Sequence, residues 1–324
     1  MNWESLDWEA LDRLRETFLT DAKSAGPYWH TITDLEGYDF TFGERIGWKW
    51  DAVLAELKLR GWAPPSGATV LDWGCGSGIA GRRVVDFFGA ANFSKLELLD
   101  HSPLAMDFAE HRAQQLWPGF AVSRYHGGPV GVLVLSHVLN ELDEAARAEL
   151  RALAARAETI LWVEPGTHEV SRALGAWRNQ LAAAMHVVAP CTHRAACDVL
   201  AAGNERHWCH FFAAPPAGIH ADSGWVKFGQ RAGIDLRSLP YSFLALDRRE
   251  SPQPAGFARI IGEPRHYKGY AKIFSCAADG VADLTLQKRD APEVFKALKH
   301  AGGPLIYRWQ RKGDRVSEVE PRFP

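Results

Sequence analysis

The sequence has few of the features that mark membrane, secreted or disulfide-bonded proteins. It contains no run of roughly 18 apolar residues, so no membrane-spanning helix is expected. Residues 1–9 are acidic and aromatic, whereas a secretory signal needs a basic start and an apolar stretch, and a transit peptide avoids acidic residues. We therefore expect a protein of a bacterial-type cytoplasm, without a membrane partner. Reducing conditions there disfavour disulfides, so clustered cysteines are more often metal ligands or reactive thiols.

The net charge is small, at −2, but it is unevenly distributed. Residues 248–324 contain 15 Lys and Arg against 9 Asp and Glu, so this segment carries +6 and the remainder carries −8. A basic module joined to an acidic one suggests a polyanionic partner for the basic part. A basic surface that is merely solvated is an equal alternative.

Short apolar strands alternate with helices from residue 68 onward. Strands are predicted at 68–73, 95–99, 130–135 and 159–163, with helices between them. Near-continuous apolar strands are typical of a parallel sheet that helices cover on both faces. The alternation therefore predicts an α/β fold with a doubly wound sheet.

Proline, glycine and charge divide the chain into four predicted regions. Helices are predicted at 4–24 and 43–60, an ordered loop at 190–224, and several short strands beyond it, with a turn at 262–264. The regions are an N-terminal helical region at 1–62, a Rossmann-like domain at 63–189, a cysteine-rich loop with the last strands of the sheet at 190–247, and a basic β-rich module at 248–324.

A glycine-rich loop, Asp72-x-Gly74-x-Gly76-x-Gly78, lies between the first predicted strand and the following helix. Glycines let the backbone turn tightly against a ligand, and the helix start offers N–H groups to an anionic end such as the carboxylate of S-adenosylmethionine. Asp100 ends the next strand, where an acid can bind both ribose hydroxyls. The predicted cofactor contacts are Asp72, Gly74, Cys75, Gly76, Gly78, Asp100, His101 and His137.

Two other interpretations of this loop remain open. Residues 76–81 also satisfy the dinucleotide pattern G-x-G-x-x-G, which is weak on its own. The glycines could also serve only a tight turn. The position of Asp72, two residues before Gly74, favours the S-adenosylmethionine-binding form.

Polar residues follow the strand at 130–135, at the edge where the ligands of such sheets bind. His137, Asn140 and Glu141 are the candidate catalytic residues, although packing or cofactor contact is the alternative for His137. The Asn/Asp-Pro-Pro-aromatic signature of many nucleic-acid amino-methyltransferases is missing. The Pro-Cys nucleophile pair, which a methyltransferase that modifies C5 of a base needs, is also missing from this part of the sequence. No target base is therefore predicted.

Four cysteines lie beyond this sheet, and Cys75 in the glycine loop is excluded from their set. Their spacing, Cys-x5-Cys-x11-Cys followed by 66 residues and a fourth Cys, lacks the close pairs of a zinc ribbon. Four thiolates suit a cubane iron–sulfur cluster. Zinc is the second choice, because three histidines are interleaved, and small buried hydrophobes are the third. The candidate ligands are Cys191, Cys197, Cys209 and Cys276; the histidines are His193, His207 and His210.

These segments resemble the methyltransferase-like small-ribosomal-subunit family (Rsm twenty-two type), which includes the mitochondrial ribosome assembly factor methyltransferase-like protein seventeen and bacterial relatives. The resemblance spans roughly residues 40–290. Its most specific parts are the Pro-Cys and Trp-Cys-His-Phe segments. The matching stretches are 45–50, 70–78, 136–142, 163–167, 188–193, 208–211 and 265–276.

The resemblance implies a class I methyltransferase domain, S-adenosylmethionine binding, and a 4Fe–4S cluster. It also implies a role in small-subunit maturation through rRNA. It assigns the cluster to Cys191, Cys197, Cys209 and Cys276. The gap between Cys197 and Cys209 is longer than is usual in the family. The compact three-cysteine motif of radical S-adenosylmethionine enzymes is absent.

Three functions are compatible with the sequence: an rRNA methyltransferase, a non-catalytic rRNA-binding assembly factor, and a small-molecule methyltransferase. We expect a monomer. Basic and aromatic residues of the tail suit RNA, since they can bind phosphates and stack bases, although an ordinary half-exposed sheet has the same pattern. The candidates are Arg259, Arg265, Lys268, Lys272, Lys288 and Arg289, with Tyr267, Tyr270 and Phe274.

Overall fold

The computed structural model describes residues 1–19, 28–251, 253–299 and 303–323. Within these ranges no helix is long and apolar enough to cross a membrane. The chain forms two compact units. The first comprises Met1–Leu54, Ala63–Val163 and Ala214–Leu239; the second comprises Ala55–Trp62, Glu164–Ala213 and Pro240–Pro324.

The secondary structure follows the chain in this order. The helices are α1 (Trp8–Leu19), α2 (Ile32–Tyr38), α3 (Glu44–Leu59), α4 (Ile79–Phe88), α5 (Pro103–Leu116), α6 (Glu144–Arg156), α7 (His168–Leu181), α8 (Ser223–Ala232) and α9 (Pro292–Ala297). The strands are β1 (Ala68–Trp73), β2 (Phe93–Leu99), β3 (Val122–Arg124), β4 (Val130–Ser136), β5 (Ala157–Pro165), β6 (His186–Ala189), β7 (Phe211–Phe212), β8 (Pro240–Asp247), β9 (Phe257–His266), β10 (Tyr270–Ala277), β11 (Gly280–Gln287), β12 (Ile306–Lys312) and β13 (Arg315–Pro321).

The first unit contains a parallel sheet in the order β3-β2-β1-β4-β5. This order is that of a Rossmann-like doubly wound sheet, so the predicted α/β fold is confirmed. Six of the seven residues of β4 are buried, as a strand covered on both faces requires. The helices begin at local caps: the Ser102 and Asp143 side chains accept the N–H groups of Ala105 and Ala146.

The N-terminal helices of the first unit build a small aromatic core. Leu14, Trp29, Leu35 and Phe108 are buried together in it. The predicted helix at 4–24 begins later, at Trp8, and its part beyond Leu19 lies outside the described residues. A π-helical turn, Asp39–Gly43, joins α2 to α3.

The second unit contains a closed barrel of five strands in the order β9-β10-β11-β13-β12. Its pairs are antiparallel except for the parallel pair of β11 and β13, and α9 lies in the chain between β11 and β12. Counted within the barrel, the order is 1-2-3-5-4, closing on strand 1. This is the Greek-key arrangement of an OB-fold. In the same unit, β6 and β7 pair antiparallel with β8.

One sequence-based expectation is wrong in the second half of the chain, and another holds only in part. The predicted turn at 262–264 lies inside β9, because Gly262 adopts a φ of +67° and bends the strand at an irregular register with β10 instead of ending it. The segment 190–224 is mainly loop, as predicted, but it includes a short 3₁₀ turn, Asp198–Leu200, the strand β7 and the start of α8.

Candidate functional site

The glycine loop connects β1 to α4, and each of its three glycines needs the freedom of a residue without Cβ. Gly74, Gly76 and Gly78 have φ angles of +67°, +51° and +75°. A Cβ on Gly74 would lie 2.8 Å from Val138 Cγ1, and one on Gly78 would lie 2.8 Å from Ala109 Cβ. The loop therefore combines left-handed backbone with close packing, as a backbone that cradles a ligand does.

Asp72 lies at the end of β1 and is buried. Its Oδ2 accepts the N–H of Gly81 at 2.9 Å. Within the described part of the chain, its Oδ1 has no hydrogen-bond partner. Burial raises the pKa of Asp72 to about 7, against the lowering effects of the Gly81 hydrogen bond and of Arg82. A buried carboxylate oxygen without a donor is suited to a cationic or hydrogen-bonding ligand.

Asp100 follows β2 and faces the same loop. Its Oδ2 accepts the N–H of Gly76 at 2.9 Å, and its Oδ1 accepts the N–H of Ser102, also at 2.9 Å. His101 Nδ1 lies 3.4 Å from the same carboxylate. The predicted loop residues and Asp100 are thus brought together. The carboxylate keeps lone pairs for ligand hydroxyls, because each oxygen can accept more than one hydrogen bond.

An aromatic wall from the N-terminal segment also faces this site, and sequence reasoning assigned it no role. The rings of Tyr28 and Trp29 lie 4.6 Å apart, and Trp29 lies 4.9 Å from Tyr38. The Tyr28 hydroxyl is hydrogen-bonded to the Glu141 side chain. Burial is the main cause that raises the pKa of Tyr28 well above its ordinary value, and the carboxylates of Glu141 and Asp100 raise it further. In the sequence, the cluster of aromatic residues at 28–42 is the feature that could have predicted this wall.

His137, at the end of β4, has a φ of +58° and is the only non-glycine residue with positive φ in the described ranges. Lys49 Nζ lies 3.2 Å from its Nε2, and Ser136 Oγ lies 3.4 Å from its Nδ1. Trp50 Nε1 donates to the same hydroxyl at 3.0 Å. Burial and the Lys49 charge lower the pKa of His137 well below its ordinary value, so the ring is neutral. Because Lys49 donates to Nε2, the proton is on Nδ1.

The other two catalytic candidates, Asn140 and Glu141, are exposed in the turn after His137. The side chain of Glu141 is hydrogen-bonded to Tyr28. The geometry therefore brings His137 and Glu141 to the edge of the ligand site but gives each of them a protein partner.

The four predicted ligand cysteines are all free thiols and all belong to the second unit. Three come from the segment between β6 and β7, and Cys276 comes from β10 of the barrel. Burial raises the pKa of Cys209 well above its ordinary value, and charges on Cys191, Cys197 and Cys276 raise it further. Burial and then Cys191 and Cys197 also raise the pKa of Cys276. Cys191 and Cys197 thus contribute to the pKa shifts of both Cys209 and Cys276.

The interleaved histidines have different partners. His193 Nε2 lies 3.5 Å from Cys276 Sγ. His207 stacks on Phe274 with ring centroids 4.1 Å apart, and His210 stacks on Trp208 at 4.6 Å. Among the residues that the structure describes, no group of three or more His, Cys, Asp or Glu side chains is arranged to hold a single metal ion.

A buried ion triad in the second unit holds the start of the cysteine segment. Glu56 pairs with Arg60 at 2.7 Å and accepts from Arg259 Nη2 at 2.8 Å. Arg60 also donates to the carbonyl oxygens of Val188, Pro190 and Cys191 at 2.9, 2.8 and 3.1 Å. Although burial opposes ionisation, Arg259 and Arg60 lower the pKa of Glu56. The buried triad therefore fixes the backbone at the first ligand cysteine.

This triad corrects one expectation about RNA contacts. Arg259 was expected to contact RNA, but its side chain is only 4% exposed and it is paired with Glu56. Its guanidinium also lies over the Phe211 ring, 3.8 Å from the centroid. The sequence could not reveal this, because the two partners are 203 residues apart.

A profile of the family described as mitochondrial small ribosomal subunit Rsm22 matches residues 53–304. The chain therefore belongs to this methyltransferase-like family. The resemblance expected from the sequence motifs is confirmed. No curated protein sequence matches the chain.

Several solved structures of methyltransferases share weak similarity with the chain. Magnesium protoporphyrin IX methyltransferase from Synechocystis, with bound S-adenosylhomocysteine, is 14% identical, with 75% of this chain and 95% of that chain covered and a TM-score of 0.40. A SAM-dependent methyltransferase from Aquifex aeolicus is 15% identical, with coverages of 49% and 90% and a TM-score of 0.36. One from Leishmania major is 12% identical, with coverages of 76% and 83% and a TM-score of 0.33.

Proposed function

We propose that the protein binds S-adenosylmethionine in its first unit and a 4Fe–4S cluster in its second unit. We further propose that it acts on, or binds, small-subunit rRNA during ribosome assembly. What supports this proposal is that four cysteines, three from one loop and one from β10, belong to the second unit of a chain of the Rsm22 family. The basic barrel supplies the RNA-binding surface.

The first unit has the groups that S-adenosylmethionine requires. The free Oδ1 of Asp72 can accept from the cofactor's ammonium group, and the N–H groups at the start of α4 can donate to its carboxylate. Asp100 can accept hydrogen bonds from the ribose hydroxyls, and the rings of Tyr28 and Trp29 can pack against the face of the adenine. When bound, the cofactor supplies an activated methyl group.

The donor set of the second unit fits an iron–sulfur cluster. Four cysteines are the usual ligands of a cubane, and each binds a different iron, so the thiolates lie further apart than the ligands of one ion. Buried thiols whose pKa values are raised become thiolates only beside positive charge, which the iron would supply.

A second candidate function, an rRNA-binding factor without methyl transfer, is favoured by the state of His137. Its Nε2 accepts from Lys49, so this nitrogen is not available to take a proton from a substrate. In that case the adenosyl ligand and the cluster act as structural checkpoints.

Transfer of tritium from methyl-labelled S-adenosylmethionine into immature small-subunit RNA separates these functions. Incorporation by the wild type that is lost in Asp72→Asn supports the methyltransferase. Co-sedimentation with the subunit without incorporation supports the binding factor. If the protein fails to bind this RNA at low salt, where phosphate contacts are strongest, the rRNA proposal fails and a small-molecule substrate takes its place.

A further inference from the structure

The barrel of the second unit has a filled interior. Its core side chains pack with α9 and leave no room for a ligand inside. Any ligand must therefore bind on the outer surface, as it does in OB-folds, which use the face of strands 2 and 3 and the adjoining loops. The core residues include Ile260, Ile273, Leu284, Leu286, Phe295, Leu298 and Val316.

The cysteine segment of the same chain covers one half of that outer face. On β10 the outward residues alternate along the strand, and Phe274 is covered by the His207 ring of the cysteine segment. Cys276, two residues further, belongs to the cysteine site. The opposite end of the same face, where β9 turns into β10, is exposed. This end of the face is therefore open to a ligand.

Two tyrosines form a stacked pair at the exposed end. The rings of Tyr267 and Tyr270 lie 4.6 Å apart and are 12° from parallel. The N–H of Tyr267 donates to the carbonyl oxygen of Tyr270 at 2.8 Å, which closes the turn. Tyr267 is 48% exposed, one of the few large aromatic side chains that the described chain leaves open to solvent. Such a rigid exposed ring is suited to stacking.

Three cations surround this pair. Lys268 lies in the turn itself, and the N–H of Lys288 donates to the carbonyl oxygen of Gly269 at 2.9 Å, which brings the end of β11 beside the turn. Arg289 follows, with its side chain 75% exposed. The nearby acid, Asp290, pairs with Arg315 at 2.8 Å and with Arg289 at 3.9 Å, so one carboxylate faces two arginines and the local charge is positive. Within the described ranges, Lys268 and Lys288 make no ion pair.

We propose that Tyr267, Lys268, Tyr270, Lys288 and Arg289, which we call the Tyr267 platform, bind single-stranded RNA. An unpaired base stacks on the free face of Tyr267, and the three cations bind the flanking phosphates. A duplex fits less well, because its bases are already stacked on one another. The inference rests on the proposed rRNA function and assigns its contact to one end of the barrel.

Fluorescence anisotropy with the full-length protein, purified without oxygen, tests the platform. The probe is a labelled single-stranded oligonucleotide of small-subunit rRNA sequence. We expect Tyr267→Ala to raise the Kd about ten-fold, the order of effect of one lost base–aromatic stack, and Tyr267→Phe to leave it unchanged. Lys288→Gln should reduce the slope of log K against log salt by about 0.7, whereas Lys296→Gln, an exposed lysine of α9, should not.

Each other outcome has a defined meaning. If the wild type binds the RNA and Tyr267→Ala binds equally well, the platform is wrong and the rRNA function survives. If the wild type does not bind the RNA, the proposed rRNA function and the proposed platform are both wrong. If Tyr267→Ala loses sedimentation with the subunit but keeps RNA affinity, the surface contacts a ribosomal protein instead. Equal loss of affinity for a duplex of the same sequence would also overturn the single-strand assignment.

Discussion

The Glu56 triad offers the sharpest test of how the cysteine segment is held. We consider Glu56→Gln, which keeps the shape of the side chain but leaves Arg60 and Arg259 without a counter-charge. All three side chains are at most 4% exposed. Breaking a buried ion pair by removing one partner costs about 3–5 kcal/mol. Because the amide oxygen still accepts one hydrogen bond, we expect a loss of about 3 kcal/mol in the free energy of unfolding.

The assay is urea denaturation followed by tryptophan fluorescence and by circular dichroism, with iron content measured on the same samples. Iron should fall together with stability, because Arg60 holds the carbonyl oxygens on both sides of residue 190. The matched control is Glu320→Gln, whose partner Arg308 lies 2.8 Å away on the exposed barrel surface. That change should stay within about 0.5 kcal/mol. Wild-type stability and iron content in Glu56→Gln would refute the anchoring role.

Three further predictions concern the two ligand sites. Asp72 has its folded-state pKa raised to about 7, above the unfolded value, so its ionisation destabilises the fold as pH rises from about 4 to 7. Calorimetry should show affinity for the cationic S-adenosylmethionine rising through about pH 7 in the wild type but not in Asp72→Asn. Gly74→Ala combines a φ of +67° with a 2.8 Å clash and should lose about 1–3 kcal/mol more in thermal unfolding than Gly67→Ala, which has a φ of +70° and open space. Cys276→Ser should lose iron in anaerobic preparations, whereas Cys75→Ser should keep it; equal iron in both would remove Cys276 from the ligand set.

Much of the first unit could be predicted from local sequence. The bounds of β1 agree with the prediction, and a helix follows the glycine loop as expected, because Pro and Gly residues mark both ends of the strand–loop–helix segment. The glycine loop and Asp100 come together because the ends of adjacent parallel strands meet at one edge of the sheet.

The features that sequence reasoning missed depend on contacts that no local pattern reports. The strand β13 is mostly exposed, with three charged residues among its seven, and it is defined by pairing with β11 and β12 rather than by alternation. The helix α8 buries Phe228 against the N-terminal residues. The short β3 has three residues, too few for a periodic signal.

Which basic residues are buried and which face solvent was the feature least predictable from the sequence. Residues 248–324 are basic as a segment, but burial separates Arg259, which holds the cysteine segment, from Lys268 and Lys288, which face solvent. Charge counts alone do not distinguish a structural arginine from a surface lysine. The OB arrangement of the barrel likewise follows from strand pairing over long separations.

The central claim is that Cys191, Cys197, Cys209 and Cys276 together hold one inorganic cluster. The most direct measurement is the iron, acid-labile sulfide and zinc content of protein purified without oxygen. The account predicts about four iron and four sulfide per chain, with no zinc. Stoichiometric zinc without iron, or metal-free protein that is fully folded, would contradict it.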